Sequence, residues 1–306
     1  MKKYLFMILC FSFSFFSCSK IEIKSINRIW QGSILNPDTY ENSNYTDFMF
    51  NENGSYSLDC SLDSRDYYHD YIGPENLLYG GFVYTEKGEF KTFTKDGFSY
   101  IKLNPKGKKA LKKELGLFIN PRRLYLFDGD SLFFASEEKV SWNLLGYNLE
   151  IQSVSSSSCK KNEKEIFDGN NFSKNGKPSL TPWISDDKDN DEWFEFTVSS
   201  NLKEWGVESF LILNGYVSFD NPDLYGKYNR IKDYEITSEL LETPVSGTFQ
   251  DLVELQEIKL PVPVFDEEMT FKINIKSVYE GEEFDNTCIS FIRALPPVPT
   301  ETPEKF

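Results

Sequence analysis

The 306-residue chain holds a single histidine, five cysteines and 33 basic residues against 48 acidic ones. One histidine, His69, excludes His-rich metal sites and leaves triad chemistry a single candidate base. A net charge of −15 excludes a broad nucleic-acid face, which needs basic residues to displace counterions. It equally excludes adhesion to anionic lipid by charge alone. No C-x-x-C is present, so zinc ribbons and thioredoxin-type redox centres have no ligands to build from. No G-x-S-x-G elbow occurs either. Beyond the N-terminus, no run approaches the ~20 apolar residues that a membrane-spanning helix needs.

Aromatic residues are abundant instead: 27 Phe, 17 Tyr and 5 Trp. Such side chains favour pleated, half-buried surfaces, which points to β structure. With 40% hydrophobic and 26% charged residues, the chain can bury a core, and its length suits about two domains.

Residues 1–18 read as an address. Lys2 and Lys3 precede an apolar stretch from Tyr4 to Phe16, too short to span a bilayer and suited to a secretory h-region. The stretch ends in Phe15-Phe16-Ser17-Cys18, which resembles the lipobox of bacterial lipoproteins. That resemblance implies lipidation of Cys18, export, and attachment to the cell envelope: outer membrane, cell surface or periplasm. Phe15 stands where the usual pattern has Leu.

Residues 19–154 read as an N-terminal antiparallel β domain. Hairpin turns are expected at Asn53-Gly54, within Thr85–Phe90, at Asp96-Gly97 and at Asp128-Gly129-Asp130. A helix is expected from Pro105 or Lys106 to Leu115, stopped by Gly116. Trp30-Gln31-Gly32 followed by Gly-centred hairpins resembles lipocalin-like lipoprotein domains, and no ligand is assigned to it. His69 falls in an aromatic loop with no nucleophile motif nearby, so it reads as a loop residue.

The serine run 153–158, broken only by Val154, reads as a linker, and most of the acidic excess follows it. Residues 155–295 then form a second body and 296–306 a Pro-rich tail. Strict alternation in Trp193–Val198 and Phe271–Lys276 places Phe194, Phe196, Val198, Phe271, Ile273 and Ile275 inward. Further strands are expected at Phe210–Leu213, Gln256–Leu260 and Cys288–Ile292, giving a β-sandwich with long irregular loops.

A set of landmarks runs through this body in order. They are Phe167-Asp168-Gly169-Asn170, Thr181-Pro182-Trp183, Asp191–Phe196, Leu211–Tyr216, Tyr228–Lys232, Ile275–Gly281 and Phe284–Ser290. The ordered set resembles the NADase-type glycan-binding domain, the translocation domain attached to secreted bacterial NAD-glycohydrolases. The resemblance implies a discoidin-like, galactose-binding-like jelly roll. The fold class expected is therefore all-β, an N-terminal antiparallel domain followed by this C-terminal sandwich. It also implies carbohydrate recognition and no catalysis.

Residue chemistry fits that task. Aromatic faces take the C–H faces of a sugar, and amides or guanidinium groups take its hydroxyls. Trp183, Asn214, Tyr216, Asn229 and Arg230 are the expected glycan-binding residues. Three have a structural alternative: Trp183 as a core plug, Asn214 as a turn cap, Arg230 as an ion-pair partner of an acid such as Asp233. No cofactor is expected. Related sandwiches often hold a structural Ca²⁺, for which Asp168, Asn170 and Asp285 are the candidate ligands; Phe291 stands where a further carboxylate is usual. Cys159 and Cys288, near the two ends of the body, are candidates for a disulfide. Two other readings stay open: a protein–protein scaffold, and a glycoside hydrolase using two of the many carboxylates.

Overall fold

A computed structural model describes residues 26–35, 42–61, 82–106, 113–136, 149–157, 179–186, 192–200 and 206–297. The signal segment, Cys18, His69, Cys159, Asp168, Asn170 and the tail from residue 298 lie outside the described residues.

The first body is a closed barrel of eight antiparallel strands hydrogen-bonded in chain order. They are β1 (Ile29–Leu35), β2 (Asn42–Phe50), β3 (Ser55–Ser61), β4 (Phe82–Lys95), β5 (Phe98–Pro105), β6 (Lys113–Ile119), β7 (Leu124–Asp128) and β8 (Ser131–Ser136). β1 pairs back onto β8, so the sheet has no free edge. Alternate residues fill the interior: Phe48 and Phe50 from β2, Tyr56 and Leu58 from β3, Leu124 and Leu126 from β7. Phe48 and Phe50 stack at 4.4 Å, and Phe134 meets Phe48 edge-on at 5.6 Å.

The turns at Asn53-Gly54, Asp96-Gly97 and Gly129-Asp130 join strands as expected. Two local expectations are overturned. No turn interrupts Thr85–Phe90, because β4 runs unbroken to Lys95. Gly88 marks a close approach, not a turn: a Cβ there would lie 2.4 Å from the Asn104 carbonyl oxygen of β5. Nor does a helix extend to Leu115. Lys113–Ile119 is β6, whose register with β5 and β7 buries Leu115 and Leu117. Cross-strand pairing outweighs the helix propensity of the lysine-rich stretch.

The second body packs two antiparallel sheets face to face. One has the order β10 (Trp183–Ile184), β17 (Cys288–Leu295), β12 (Gly206–Asn214), β15 (Gln256–Phe265). The other has β14 (Val245–Thr248), β13 (Arg230–Thr237), β16 (Glu268–Tyr279), β11 (Trp193–Ser200), β9 (Leu149–Ser156). The inward side chains expected on β11 and β16 are buried between the sheets, where Phe210 meets Phe196 and Phe271 edge-on at 5.1 and 4.8 Å. The architecture is the all-β one expected.

The serine run is not a linker. Residues 153–156 belong to β9, an edge strand that pairs with β11 from Ser200 to Phe194. Leu149 is buried in the sandwich core and Val154 packs against it, so the second body begins no later than Leu149. Small polar serines suit a strand with one solvated face at a sheet edge.

The two bodies share a core. Phe98, Tyr100, Phe118, Tyr125 and Phe127, on the outer face of the barrel, form one cluster with Leu211, Leu213, Val217, Phe219, Phe291 and Leu295 of the sandwich. This explains the unbroken apolar run in β12. Phe210 and Ile212 face the sandwich interior while Leu211 and Leu213 face the barrel. Phe291 meets Tyr125 edge-on at 5.1 Å. Arg122 of the β6–β7 turn pairs with Glu208 at 2.9 Å and also donates to the Pro296 carbonyl. Among the described residues no helix is long and apolar enough to cross a membrane.

Candidate functional site

Two loops meet at one end of the sandwich. Residues 215–229 leave β12, form the short helix Leu224–Lys227 and enter β13; residues 280–287 link β16 to β17. Backbone bonds stitch them: Glu282 N–H to Gly226 O at 3.0 Å, Phe284 N–H to Lys227 O at 2.8 Å, Asn229 N–H to Asn286 O at 3.0 Å. Four of the five residues expected to bind a ligand lie at this end, and three of those four work inward.

Asn214 is 1% exposed. Its amide accepts from Ile231 N–H at 2.8 Å and donates to the Ile231 carbonyl at 2.6 Å, clipping the start of β13 to the end of β12. Asn229 is a second clip. It donates to the Asp285 carbonyl and accepts from Gly281 N–H, each at 2.7 Å, which closes the second loop around it. Arg230 grips Asp251 bidentately at 2.9 and 2.8 Å and also donates to the carbonyls of Tyr228 and Glu280. Burial opposes its charge, yet Asp251 more than offsets this, and the guanidinium titrates above its ordinary value. Trp183 is wholly buried between the sheets, edge-on to Phe194 at 5.3 Å, with its indole N–H on Ser156. Trp183, Asn214, Asn229 and Arg230 are therefore fasteners. Their amides, guanidinium and indole all bond to protein groups.

Tyr216 differs. It is half-buried and stacks on Tyr228 with centroids 4.9 Å apart and planes 28° apart. Tyr228 stacks in turn on Phe284 at 4.5 Å and 26°. The three rings form a partly exposed ladder across the two loops. Burial raises the phenol pKa of both tyrosines, so they stay neutral hydroxyls at ordinary pH. Among the described residues neither hydroxyl has a hydrogen-bond partner. Beside the ladder, Lys227 pairs with Glu283 at 2.8 Å. The arrangement is a short apolar stack whose middle ring, Tyr228, is covered on both faces, with two phenol hydroxyls among its edges.

Tyr228 and Phe284 are the ladder residues that sequence reasoning missed as a site. Both stand inside the landmark strings, but their stacking depends on two distant loops being laced together. The acid that pairs with Arg230 is Asp251, not Asp233, the example its sequence suggests. Asp233 instead accepts from Ser277 and Thr248 hydroxyls at 2.5 and 2.6 Å.

Asp285 uses its backbone carbonyl on Asn229, and no group of three or more potential metal ligands occurs among the described residues. The Phe291 position, where a carboxylate is usual, serves the barrel interface. Cys288 is a free, buried thiol, pushed well above its ordinary pKa by burial; this departs from the bridge to Cys159, itself outside the described residues.

Residues 147–294 match the family model of the NAD glycohydrolase translocation F5/8 type C domain. The match begins just ahead of β9 and ends within β17. No curated protein matches the chain. Among solved structures, a family 32 CBM from C. perfringens NanJ in complex with galactose is similar at 18% identity. It covers 46% of this chain and 90% of that one, with a TM-score of 0.30. Allantoicase is similar at 11% identity over 88% of this chain and 73% of that one, with a TM-score of 0.28.

Proposed function

We propose, for a chain whose second body is a discoidin-like F5/8 type C domain of the NAD glycohydrolase translocation type, that this body binds carbohydrate on the Tyr216–Tyr228–Phe284 ladder. One observation carries the reading: three stacked, partly exposed rings whose two phenol hydroxyls have no partner among the described residues. A sugar's C–H face packs on an outer ring of the stack, Tyr216 or Phe284, and its hydroxyls exchange hydrogen bonds with the phenols. Asn214, Asn229 and Arg230 hold the loops in place for it. The role is binding without bond breaking, and it calls on no cofactor.

The chain is further proposed to be exported and held to the cell envelope by lipid on Cys18. Lys2, Lys3, the apolar stretch and Ser17-Cys18 support this. Labelling with a fatty-acid analogue that is lost in Cys18→Ser tests it.

Glycan-array screening of the full chain, followed by calorimetric titration, tests the binding. Tyr216→Ala and Tyr228→Ala are each expected to weaken binding about 3- to 10-fold, as a lost aromatic stack does. A folded chain that retains no sugar overturns the reading. A protein partner is the second reading, favoured by Val262 and Phe265 of β15, which are 63% and 52% exposed. Capture of a protein that free sugar does not displace would support it.

A further inference from the structure

We propose that the barrel is a working part of this site: its β7–β8 turn and a socket at Gly116 hold the loop that presents Tyr216 and Tyr228, so the barrel sets how tightly the sandwich binds. The affinity half of this inference rests on the carbohydrate reading above; the positioning half does not.

The 215–229 loop faces two ways. Tyr216 and Tyr228 stand near its ends in the ladder, while Phe219 and Tyr225 in its middle turn to the barrel. The Phe219 ring lies 5.1 to 5.8 Å from those of Phe98, Tyr100, Phe118 and Phe127. Directly beneath it is Gly116, where a Cβ would lie 2.3 Å from the ring. The socket exists because residue 116 has no side chain.

Asp130, in the β7–β8 turn, supplies the polar half of the grip. One carboxylate oxygen accepts from the Ser218 hydroxyl at 2.7 Å; the other accepts from Phe219 N–H at 2.6 Å. In return Asp130 N–H donates to the Asp220 carboxylate at 3.3 Å. The hold then passes inward. The Ser218 hydroxyl accepts from Asn221 N–H at 3.0 Å, and the Asn221 carbonyl accepts from Leu224 N–H, first residue of the short helix, at 3.1 Å. Within that helix Tyr225 sets its edge against Phe98 and donates its hydroxyl to Asp251, the acid that also fixes Arg230. Arg230 holds the Tyr228 carbonyl at 2.8 Å. A continuous set of contacts therefore runs from barrel turn to ladder. A loop held in its bound shape before a ligand arrives saves the ordering entropy that binding would otherwise cost.

Hydrogen exchange and affinity, both measured on the full chain, decide it. Asp130→Ala and Gly116→Ala are expected to speed exchange of the Leu224 and Tyr225 amides about tenfold, the scale of a lost hydrogen bond to a charged group. Neither amide bonds to Asp130 or Gly116, so the effect is a relayed one. Amides of β11 and β16 should stay protected, which separates loop release from unfolding. Affinity for the strongest array sugar should fall by a similar factor. Gly116→Ala combined with Phe219→Leu shortens the knob and should restore both readouts to within about threefold of the wild type.

The proposal is overturned if the two amides keep their protection, if they lose it only in step with β11 and β16, or if the loop loosens and affinity holds. A wild-type chain that binds no sugar overturns the carbohydrate reading alone, and the exchange contrast still decides whether the barrel holds the loop.

Discussion

Arg230 has five N–H donors in one plane, and its described bonds run to Asp251, Tyr228 and Glu280. That chemistry would suit a sugar's hydroxyls equally well, which is why residue type alone did not separate fastener from ligand site. The same holds for Asn214 and Asn229, whose paired donor and acceptor fit a peptide group as closely as a vicinal diol. Position in the fold made the distinction: Arg230 and Asn214 are buried where two strands diverge and carbonyls need partners. Arg230→Met should destabilise the sandwich by roughly 1–3 kcal/mol, because the Tyr228 and Glu280 carbonyls lose their donor and Asp251 its bidentate partner. Urea unfolding with unchanged slope would measure it. Asp233 gives a pH prediction. Hydroxyl donors from Ser277 and Thr248 hold its carboxyl below the ordinary value. The unfolded chain therefore binds this proton more readily than the folded one. The contribution is complete above an unfolded value of about 4 and is lost as pH falls from there through the lower folded value. Asp233→Asn should flatten that acid limb in a plot of melting temperature against pH.

Among the strands, periodicity was legible wherever one face alone is buried. β11 and β16 alternate strictly and place Phe194, Phe196, Phe271 and Ile273 inward as read from their spacing. β9 was not legible, since an edge strand of serines resembles a linker in composition. Its assignment predicts that Leu149→Ala will destabilise the sandwich by about 2–4 kcal/mol, the cost of a buried leucine left as a cavity. If Leu149 lay outside the packed cores, the sandwich would not respond. Intrinsic fluorescence cannot separate the bodies, so exchange of β11 amides is the readout. At the other sheet's edge, β15 breaks register with β12 between Lys259 and Val264, and Pro261 and Pro263 lie in that break. Proline cannot donate to a neighbouring strand, so the exposed stretch with Val262 resists pairing with other chains. Replacing both prolines by Thr should increase aggregation on heating, seen as light scattering at unchanged melting temperature.

The whole molecule is a barrel and a sandwich joined through aromatic side chains that neither body's own pattern explains. Within β12 the apolar run Phe210–Leu213 could be read as buried on both sides, but not what covered the outer side. Covering it requires Phe98, Tyr125 and Phe219 to meet, and no spacing in the sequence records that. A joint core predicts one cooperative transition in calorimetry for the wild type. Phe219→Ala empties the socket and should split the transition in two, with a loss of about 3–5 kcal/mol from the joint state. One transition at unchanged temperature would refute the coupling.

The sheet hidden under the barrel also decides how anything else can approach. One broad side of the sandwich is permanently spoken for, so a second copy cannot stack there and a long glycan cannot lie along it. Open avenues among the described surfaces include the end with Tyr216, Tyr228 and Phe284, the exposed β15 edge at Val262 and Phe265, and the carboxylate-rich outer sheet around Glu195, Glu239, Asp266 and Glu268. A guest that needs a broad flat face must therefore use the sheet of β14, β13, β16, β11 and β9, since the opposite sheet lies against the barrel.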